Sequence, residues 1–375
     1  MTAARPGGDG VLGVAIDRID VSVYTIPTDQ PESDGTLEWD ATTLVLVEAG
    51  AGGRTGLGYT YGPPAAADVV RSKLAGAVIG RDALDVGGAW AHMVHEVRNL
   101  GHPGVGAMAI SAVDIALWDL KARLLDLPLA VALDAVHERV PVYGSGGFTS
   151  YGLDDLTAQL AGWAEAGIPR VKIKIGREPG EDPARLRASR KAIGDDVALF
   201  VDANGAFTRK EALGWADRYA DFDVRWYEEP VSSDDLEGLR LLRDRGPGGM
   251  EIAAGEYGYT LPYFRHMLDA GAVDCLQADV TRCGGITAFR RVGALCAARC
   301  MDLSAHCAPL ATAHVAASVW HFRHVEYFHD HVRIESMLFD GVLAPGNGGY
   351  LRPDRSRPGL GVEFKRADAQ RYRIR

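Results

Sequence analysis

Apolar and polar positions divide this chain into two differently patterned parts. Val14–Val23 and Thr42–Glu48 alternate or run β-branched, and Thr55–Tyr59 follows a Gly52-Gly53-Arg54 turn. Those segments predict an antiparallel meander. Pro27–Asp40, rich in Pro, Asp, Gly and Thr, reads as a long loop, and Tyr61–Pro64 as a Gly/Pro-rich one. Helical periodicity follows over Ala65–Val78, Ala83–Arg98 and Gly106–Leu125. In the last, Ile110, Val113, Leu117, Leu120 and Leu124 recur at steps of three and four, the stripe of an amphipathic helix.

From Val140 onward the pattern changes. Short, mostly apolar runs recur: Val140–Ser145, Val171–Ile175, Phe200–Asn204, Trp226–Pro230, Ile252–Glu256, Leu276–Asp279, Leu303–His306 and Val325–Phe328. Helical stretches fall between them, near Leu153–Ala166, Pro183–Ile193, Arg209–Tyr219, Ser233–Arg245, Leu261–Asp269, Ile286–Ala298 and Ala311–Trp320. Each run from the second onward carries or is followed at once by an ionisable residue: Lys174, Asp202, Glu228, Glu256, Asp279, His306, Glu326. Successive members of that series lie 20 to 28 residues apart. A strand and its crossover helix take roughly 30 residues or slightly fewer. In a parallel barrel, polar residues at the strand ends share one mouth. A lone Lys172-x-Lys174 is equally the pattern of a solvent-facing edge strand, since both side chains share one face. The repeated pattern favours the mouth.

This combination resembles the enolase superfamily in its mandelate racemase subgroup, over Ile16 to the C-terminus. The resemblance implies a TIM-type (β/α)7β barrel, an α/β fold, with an N-terminal α+β capping domain. The expected division is a poorly ordered 1–13, a cap over 14–136 rejoined by 345–375, and a catalytic barrel over 137–344. Metal-binding carboxylates would fall on Asp202, Glu228 and Glu256, one Mg²⁺ per subunit. The lysine base falls on Lys174, with Lys172 beside it near the substrate carboxylate. The His-Asp dyad falls on His306 and Asp279, and an additional acid on Glu326. Such sites pair a Lys or His base with Mg²⁺. Two cap loops, Pro27–Trp39 and Gly58–Pro64, would choose the substrate unless they are plain connections. Substrate contacts are expected from Asn204, Ser145, Tyr59 and Trp39. Further hydroxyl partners are Thr149, Ser150, Tyr151 and Ser304, and the cap loops carry a charged rim of Asp29, Glu32, Asp34, Glu38 and Asp40. Asn204 either joins the metal shell or satisfies a buried amide. Glu229 is expected on the opposite pleat from Glu228.

The chemistry follows from charge. Taking a proton α to a carboxylate leaves an enediolate, whose negative oxygens a hard cation and Lys172 would stabilise. An all-carboxylate cage suits Mg²⁺ and disfavours zinc. Lys174, beside other cations, is expected to have a lowered pKa. Asp279 would orient His306 and support its charged form. A carrier of protons on each side serves several reactions, and the resemblance, whose members with this full set are mostly acid-sugar dehydratases, implies dehydration of an acid sugar to a 2-keto-3-deoxy acid by a hydro-lyase as the leading one. Racemisation or epimerisation of a 2-hydroxy acid and lactone cycloisomerisation use the same set. A non-catalytic barrel would have lost one of these groups.

Composition narrows the partners. A net charge of −10 over 375 residues, without a basic stripe, excludes nucleic acid as a partner class. No apolar run of about 18 residues marks a membrane span. Cys275, Cys283, Cys296, Cys300 and Cys307 form no C-x-x-C pair and read as packed thiols, and His321, His324, His329 and His331 as packed or surface residues rather than a zinc set. A cytoplasmic homo-oligomer, dimer to octamer, acting on a small anionic acid sugar is the expectation.

Overall fold

The computed structural model describes residues 13–375, so the expectation for residues 1–13 falls almost wholly outside the described residues. Three antiparallel strands open the fold: β1 (Arg18–Ser33), β2 (Glu38–Ala51) and β3 (Arg54–Tyr61). The expected loop Pro27–Asp40 is mostly strand. The β1–β2 hairpin runs on to the Ser33–Glu38 pair, with its register broken between Pro27 and Glu32. Pro27 and Pro31 hide the strand in sequence, since each lacks an N–H for the ladder. A register break at an edge absorbs them.

The helix Val105–Leu124 packs along this sheet on a face of small residues, Ala109, Ala112 and Ala116. A Cβ at Gly58 would lie 2.2 Å from the Ala112 carbonyl oxygen, so glycine there permits the close approach. Ahead of it, Ala65–Val78 is helical throughout with one π turn over Val70–Leu74.

Eight parallel strands then close into a barrel: β4 (Val140–Gly146), β5 (Arg170–Lys174), β6 (Ala198–Asp202), β7 (Val224–Glu228), β8 (Glu251–Ala254), β9 (Cys275–Ala278), β10 (Leu303–Ala305) and β11 (Phe322–Phe328), with β11 pairing β4. Alternation sorts their side chains. Val171, Ile173, Leu199, Val201 and Tyr227 join the core beneath the helices. Tyr143, Phe200, Trp226 and Cys275 fill the interior. Phe200 and Trp226 stack at 5.4 Å, and His324 closes against Tyr143, Phe200 and Trp226. Together they form a dry floor under the strand ends. A helix absent from the sequence reading, His329–Leu338, follows β11.

The cap sits on the barrel through buried polar ties. Thr60 donates to the Thr281 carbonyl, Trp90 to the Gly284 carbonyl, and Thr149 Oγ1 to the Asp34 carbonyl. Asp114 on the long helix accepts from Thr287 N at 2.9 Å and from the Thr287 hydroxyl at 2.6 Å. The C-terminal segment returns to the cap, where Ile374 N donates to the Val23 carbonyl and Arg366 pairs with Glu48. No helix among the described residues is long and apolar enough to cross a membrane.

Burial pushes the Asp114 carboxyl up to about 7 despite the Thr287 hydrogen bonds. A carboxyl raised in the folded state contributes stability that is fully present below its unfolded value. That contribution is lost as pH rises towards 7. Urea unfolding of Asp114→Asn is therefore expected to lose part of the decline between pH 4 and 7 seen in the parent protein. Asp114→Ala, which strands the Thr287 N–H, is expected to cost about 1–3 kcal/mol.

Candidate active site

The strand ends bring the ionisable series together. Lys174 is register partner of Asp202, and Asp202 of Glu228, so β5, β6 and β7 present these side chains side by side. Glu256 follows β8, and one oxygen from each of Asp202, Glu228 and Glu256 lies within 4.8 Å of the others. All three are buried. Lys174 Nζ donates to Asp202 Oδ2 at 2.5 Å. Lys172 Nζ sits among Glu228 Oε1 (2.5 Å), Glu326 Oε1 (2.8 Å) and Asp202 Oδ2 (3.3 Å), fully buried. Across the mouth, His306 follows β10, three strands from β5 by one route and five by the other. Its Nδ1 is 2.7 Å from Asp279 Oδ2. Asp279 is held in turn by Thr281 N and Oγ1 on its other oxygen.

Burial alone would discharge these groups, and their partners oppose it. Burial lowers His306, but Glu256 and Glu326, with the Asp279 hydrogen bond, carry it above its ordinary value. Asp279 is held low, burial being outweighed by the His306 hydrogen bond and charge. Burial also lowers Lys174, yet Asp202 outweighs both burial and Lys172 and raises it. The carboxylate that Lys174 touches thus opposes the expected lowering, and a divalent cation held on Asp202 would weaken that opposition and favour the neutral amine.

The residues that follow the strands are bent to serve the site. Asn204, Glu229, Cys307 and Ala308 all adopt positive φ, 39° to 50°. Such conformations cost about 1–3 kcal/mol each and persist where their surroundings fix them. Glu229, expected on the other pleat, lies beyond the last residue of β7, so strand alternation no longer sets its direction. Burial, then Glu256, Asp202 and Glu228, push its carboxyl well up. Asn204 N donates to Asp202 Oδ1 at 2.9 Å, fixing that carboxylate.

Above these groups lies a cavity of about 380 Å³. Lys174, Asn204, Glu256 and His306 line it from the barrel, joined by Arg282, Cys307 and His331, which sequence reasoning did not place there. Trp39 lines it from the cap, as expected. Lys172, Glu326, Asp202, Glu228 and Asp279 stand behind that wall, and only Asp34 of the expected charged rim reaches it. Glu32 instead binds Trp39 Nε1, Asp29 binds His329, and Glu38 binds Arg177.

Several expected substrate contacts are structural. Ser145 is fully buried and donates to Glu326 Oε1 at 2.6 Å. Tyr59 is fully buried, donates to Glu335 Oε1 at 2.6 Å and accepts from Ala311 N. Tyr61, two residues nearer the strand end, takes the cavity position. Thr149 and Ser150 bind cap backbone, and Ser304 binds His324 in the barrel floor. Tyr151 also lies off the cavity wall. Arg282 could have been suspected from its place three residues beyond Asp279. Tyr61 and His331 carry no sequence signal, because their approach, with rings stacked at 3.5 Å, depends on how cap and barrel dock.

A closed eight-stranded barrel with acids and bases gathered at the strand ends under an α+β cap defines an enolase-type barrel protein. The chain belongs to the mandelate racemase/muconate lactonizing enzyme family: the N-terminal domain model of that family matches residues 19–133, and the enolase C-terminal domain-like model matches residues 155–369. It is 34% identical to a 3,6-anhydro-alpha-L-galactonate cycloisomerase of Streptomyces coelicolor, over 94% of this chain and 98% of that protein. It is 30% identical to an L-talarate/galactarate dehydratase of Salmonella typhimurium, over 93% and 89%. Among solved structures, a mandelate racemase/muconate lactonizing enzyme-like protein from Rubrobacter xylanophilus superposes with a TM-score of 0.94 at 61% identity, over 96% of this chain and all of that one. A racemase from Streptomyces coelicolor A3(2) with bound magnesium gives 0.90 at 34%, over 96% and 100%.

If Tyr59 is structural, Tyr59→Phe strands buried Glu335 and Ala311 N. Its expected effect is a loss of about 1–3 kcal/mol in urea unfolding. An unchanged midpoint would return Tyr59 to the candidate contacts.

Proposed function

We propose that the protein is a magnesium-dependent enzyme that removes the proton α to the carboxylate of an acid sugar and eliminates the β-oxygen, giving a 2-keto-3-deoxy acid. The observation carrying this reading is that Lys174 and His306 line one cavity from well-separated barrel strands, with Glu256 and the buried Asp202 and Glu228 between them.

The donor set fits a hard divalent cation. Its ligands would be carboxylate oxygens of Asp202, Glu228 and Glu256, and Glu256 Oε2 has no hydrogen bond among the described residues although His306 Nε2 lies 3.2 Å away. Carboxyl groups outnumber the cations Lys172, Lys174, Arg282 and His306 around the site, an imbalance that a divalent ion corrects. When bound, magnesium supplies Lewis-acid stabilisation of the substrate carboxylate as charge develops on it. The magnesium-bound structure of the Streptomyces coelicolor racemase supports the choice of ion.

The side chains divide the proton work. Lys174 Nζ, in its neutral form, takes the α-proton, and the C–H electron pair becomes the C=C of an enediolate. Lys172, fixed behind the carboxylates, keeps positive charge beneath them. His306, protonated and held by Asp279, gives its proton to the β-oxygen as that C–O bond breaks. The resulting enol becomes the 2-keto acid. The floor of Tyr143, Phe200 and Trp226 and the cap keep bulk water away, which strengthens each charge interaction.

Where the β-oxygen belongs to a ring, the same bond breakage leaves it tethered, and the outcome is isomerisation rather than loss of water. The 34% identity to a cycloisomerase over nearly the whole of both chains favours this as the second reading. The dehydratase relative supports the first. The free thiols Cys275, Cys283, Cys296, Cys300 and Cys307 support action in a reducing compartment such as the cytoplasm.

Proton exchange in D₂O, followed by NMR, separates the two groups. Lys174→Ala is expected to lose both turnover and α-proton exchange, by about 10²–10⁴-fold. His306→Asn should lose turnover to the same extent while still exchanging the proton. Full turnover by either variant would contradict the assignment, and inversion at the α-carbon without ketone would make the enzyme a racemase or epimerase. Calorimetry should show one magnesium bound per chain, weakened about 100-fold or more in Asp202→Asn, with a second-ligand change Glu256→Gln behaving alike.

A further inference from the structure

The barrel and the cap give the cavity different chemistry. Lys174, Glu256 and His306 line it from the barrel, and β2, β3 and the Asp34 turn form its cap end. Among the described residues, the cap contributes no Lys or Arg to the cavity wall. It contributes Asp34, Trp39, Thr42 and Tyr61 instead.

Arg282 on the cavity wall, and Arg177 and Arg333 against the Pro27–Glu38 segment, are already engaged. Arg282 Nη1 lies 3.4 Å from Glu256 Oε1, and its Nε lies 3.5 Å from Asp279 Oδ2. Arg177 pairs with Glu38 at 2.9 Å, off the wall, and Arg333 pairs with Asp330 and donates to the Pro27 carbonyl. His331 adds no charge: its Nδ1 accepts from Ala308 N, and burial, helped by His306, pushes it down to about 3. The acid at this end is held in place, because Asp34 Oδ1 accepts from Thr36 N at 2.6 Å and from Leu37 N at 2.7 Å. Asp34 is only 6% exposed.

The remaining groups suit a neutral sugar end. Trp39 is braced edge-on by Phe148, and Tyr61 is stacked on His331, so both present rigid aromatic surface. The Tyr61 hydroxyl and Asn204 Oδ1 are buried without a hydrogen-bond partner among the described residues. The Tyr61 hydroxyl can donate to a substrate hydroxyl or ether oxygen, and Asn204 Oδ1 can accept from a substrate hydroxyl. A carboxylate placed against the cap wall would meet Asp34 with no cap cation to offset it, and a buried unpaired charge is strongly disfavoured.

We propose that the substrate is a monocarboxylic acid sugar whose far end is neutral, an aldonate or an anhydro-aldonate, and that Asp34 together with the cation-free cap wall excludes aldaric diacids. This rests on the reading above that the cavity binds an acid sugar for α-proton removal. It divides the relatives, since the cycloisomerase is named for a galactonate and the dehydratase for talarate and galactarate.

Matched pairs test it: an aldonate and the aldarate of the same configuration, such as galactonate with galactarate and gluconate with glucarate, offered to the magnesium-loaded protein. Binding is read by calorimetry and α-proton exchange by NMR in D₂O. The preferred aldonate is expected to exceed its diacid by about 100-fold or more in both readouts. Asp34→Asn should narrow the gap about tenfold, and Thr42→Arg, which brings a cation to the same end, should narrow it further without touching the Asp34 turn. Urea midpoints report whether either variant is folded. A diacid bound or exchanged as well as its monoacid partner would overturn the proposal and leave proton abstraction standing. Preferential monoacid binding with no exchange in any pair would support the proposal and overturn proton abstraction. Binding of neither member of any pair would overturn both.

Discussion

Everything at the barrel mouth depends on keeping charge inside a protein interior. Lys172 is wholly buried, and it can stay charged only because Asp202, Glu228 and Glu326 surround it. Those carboxylates in turn are tolerable only beside Lys172 and Lys174. Strand register provides this mutual dependence. Lys174, Asp202 and Glu228 are consecutive partners across β5, β6 and β7, so a slip of one residue would turn each to the opposite face. The aromatic floor removes water from below, and the cap from above. Removing a single member therefore strands its partners, which is why the site behaves as a unit.

The same constraint explains what could be read from sequence. Ionisable residues at the ends of apolar strands, recurring at the period of a strand and helix, are hard to explain except by a shared mouth. Lys174, Asp202, Glu228, Glu256, Asp279, His306 and Glu326 were legible for that reason, with Lys172 on the same strand face as Lys174, and so were the barrel and most of its helices. What failed depended on single turns or on docking. Alternation predicts side-chain direction only while a strand lasts, and β7 stops at Glu228, so the pattern carries no information on Glu229. Ser145 was expected to meet substrate, but it lies one layer deep and anchors Glu326. Tyr59 and Tyr61 share a face of β3, and only their height relative to the barrel separates structural from cavity positions. The charges between Asp29 and Asp40 suggested a polar rim, yet most are paired with the cap itself or with barrel residues.

Division of labour between the two halves follows. The barrel presents groups that handle protons, and these are fixed by hydrogen-bonded register. The cap presents the surface that meets the rest of the substrate, and it is fixed by ties such as Thr60–Thr281 and Asp34–Thr149. Gly35 makes one of those contacts possible: a Cβ there would lie 2.4 Å from the Ala203 carbonyl oxygen, just beyond the end of β6. The cap turn that carries Asp34 thus rests directly on the strand ends that carry the acids.

The central claim is that Lys174 works at the α-carbon and His306 at the neighbouring β-oxygen of one substrate, from opposite sides of the cavity. A crystal structure of the magnesium-loaded protein with an unreactive hydroxamate analogue of an acid sugar tests it most directly. The account requires the analogue's α-carbon to lie between Lys174 Nζ and His306 Nε2, with Lys174 within about 3.5 Å of that carbon and His306 facing its other side or the neighbouring β-oxygen. An analogue seated with both groups on the same side, or with either group beyond reach of the reacting atoms, would contradict it.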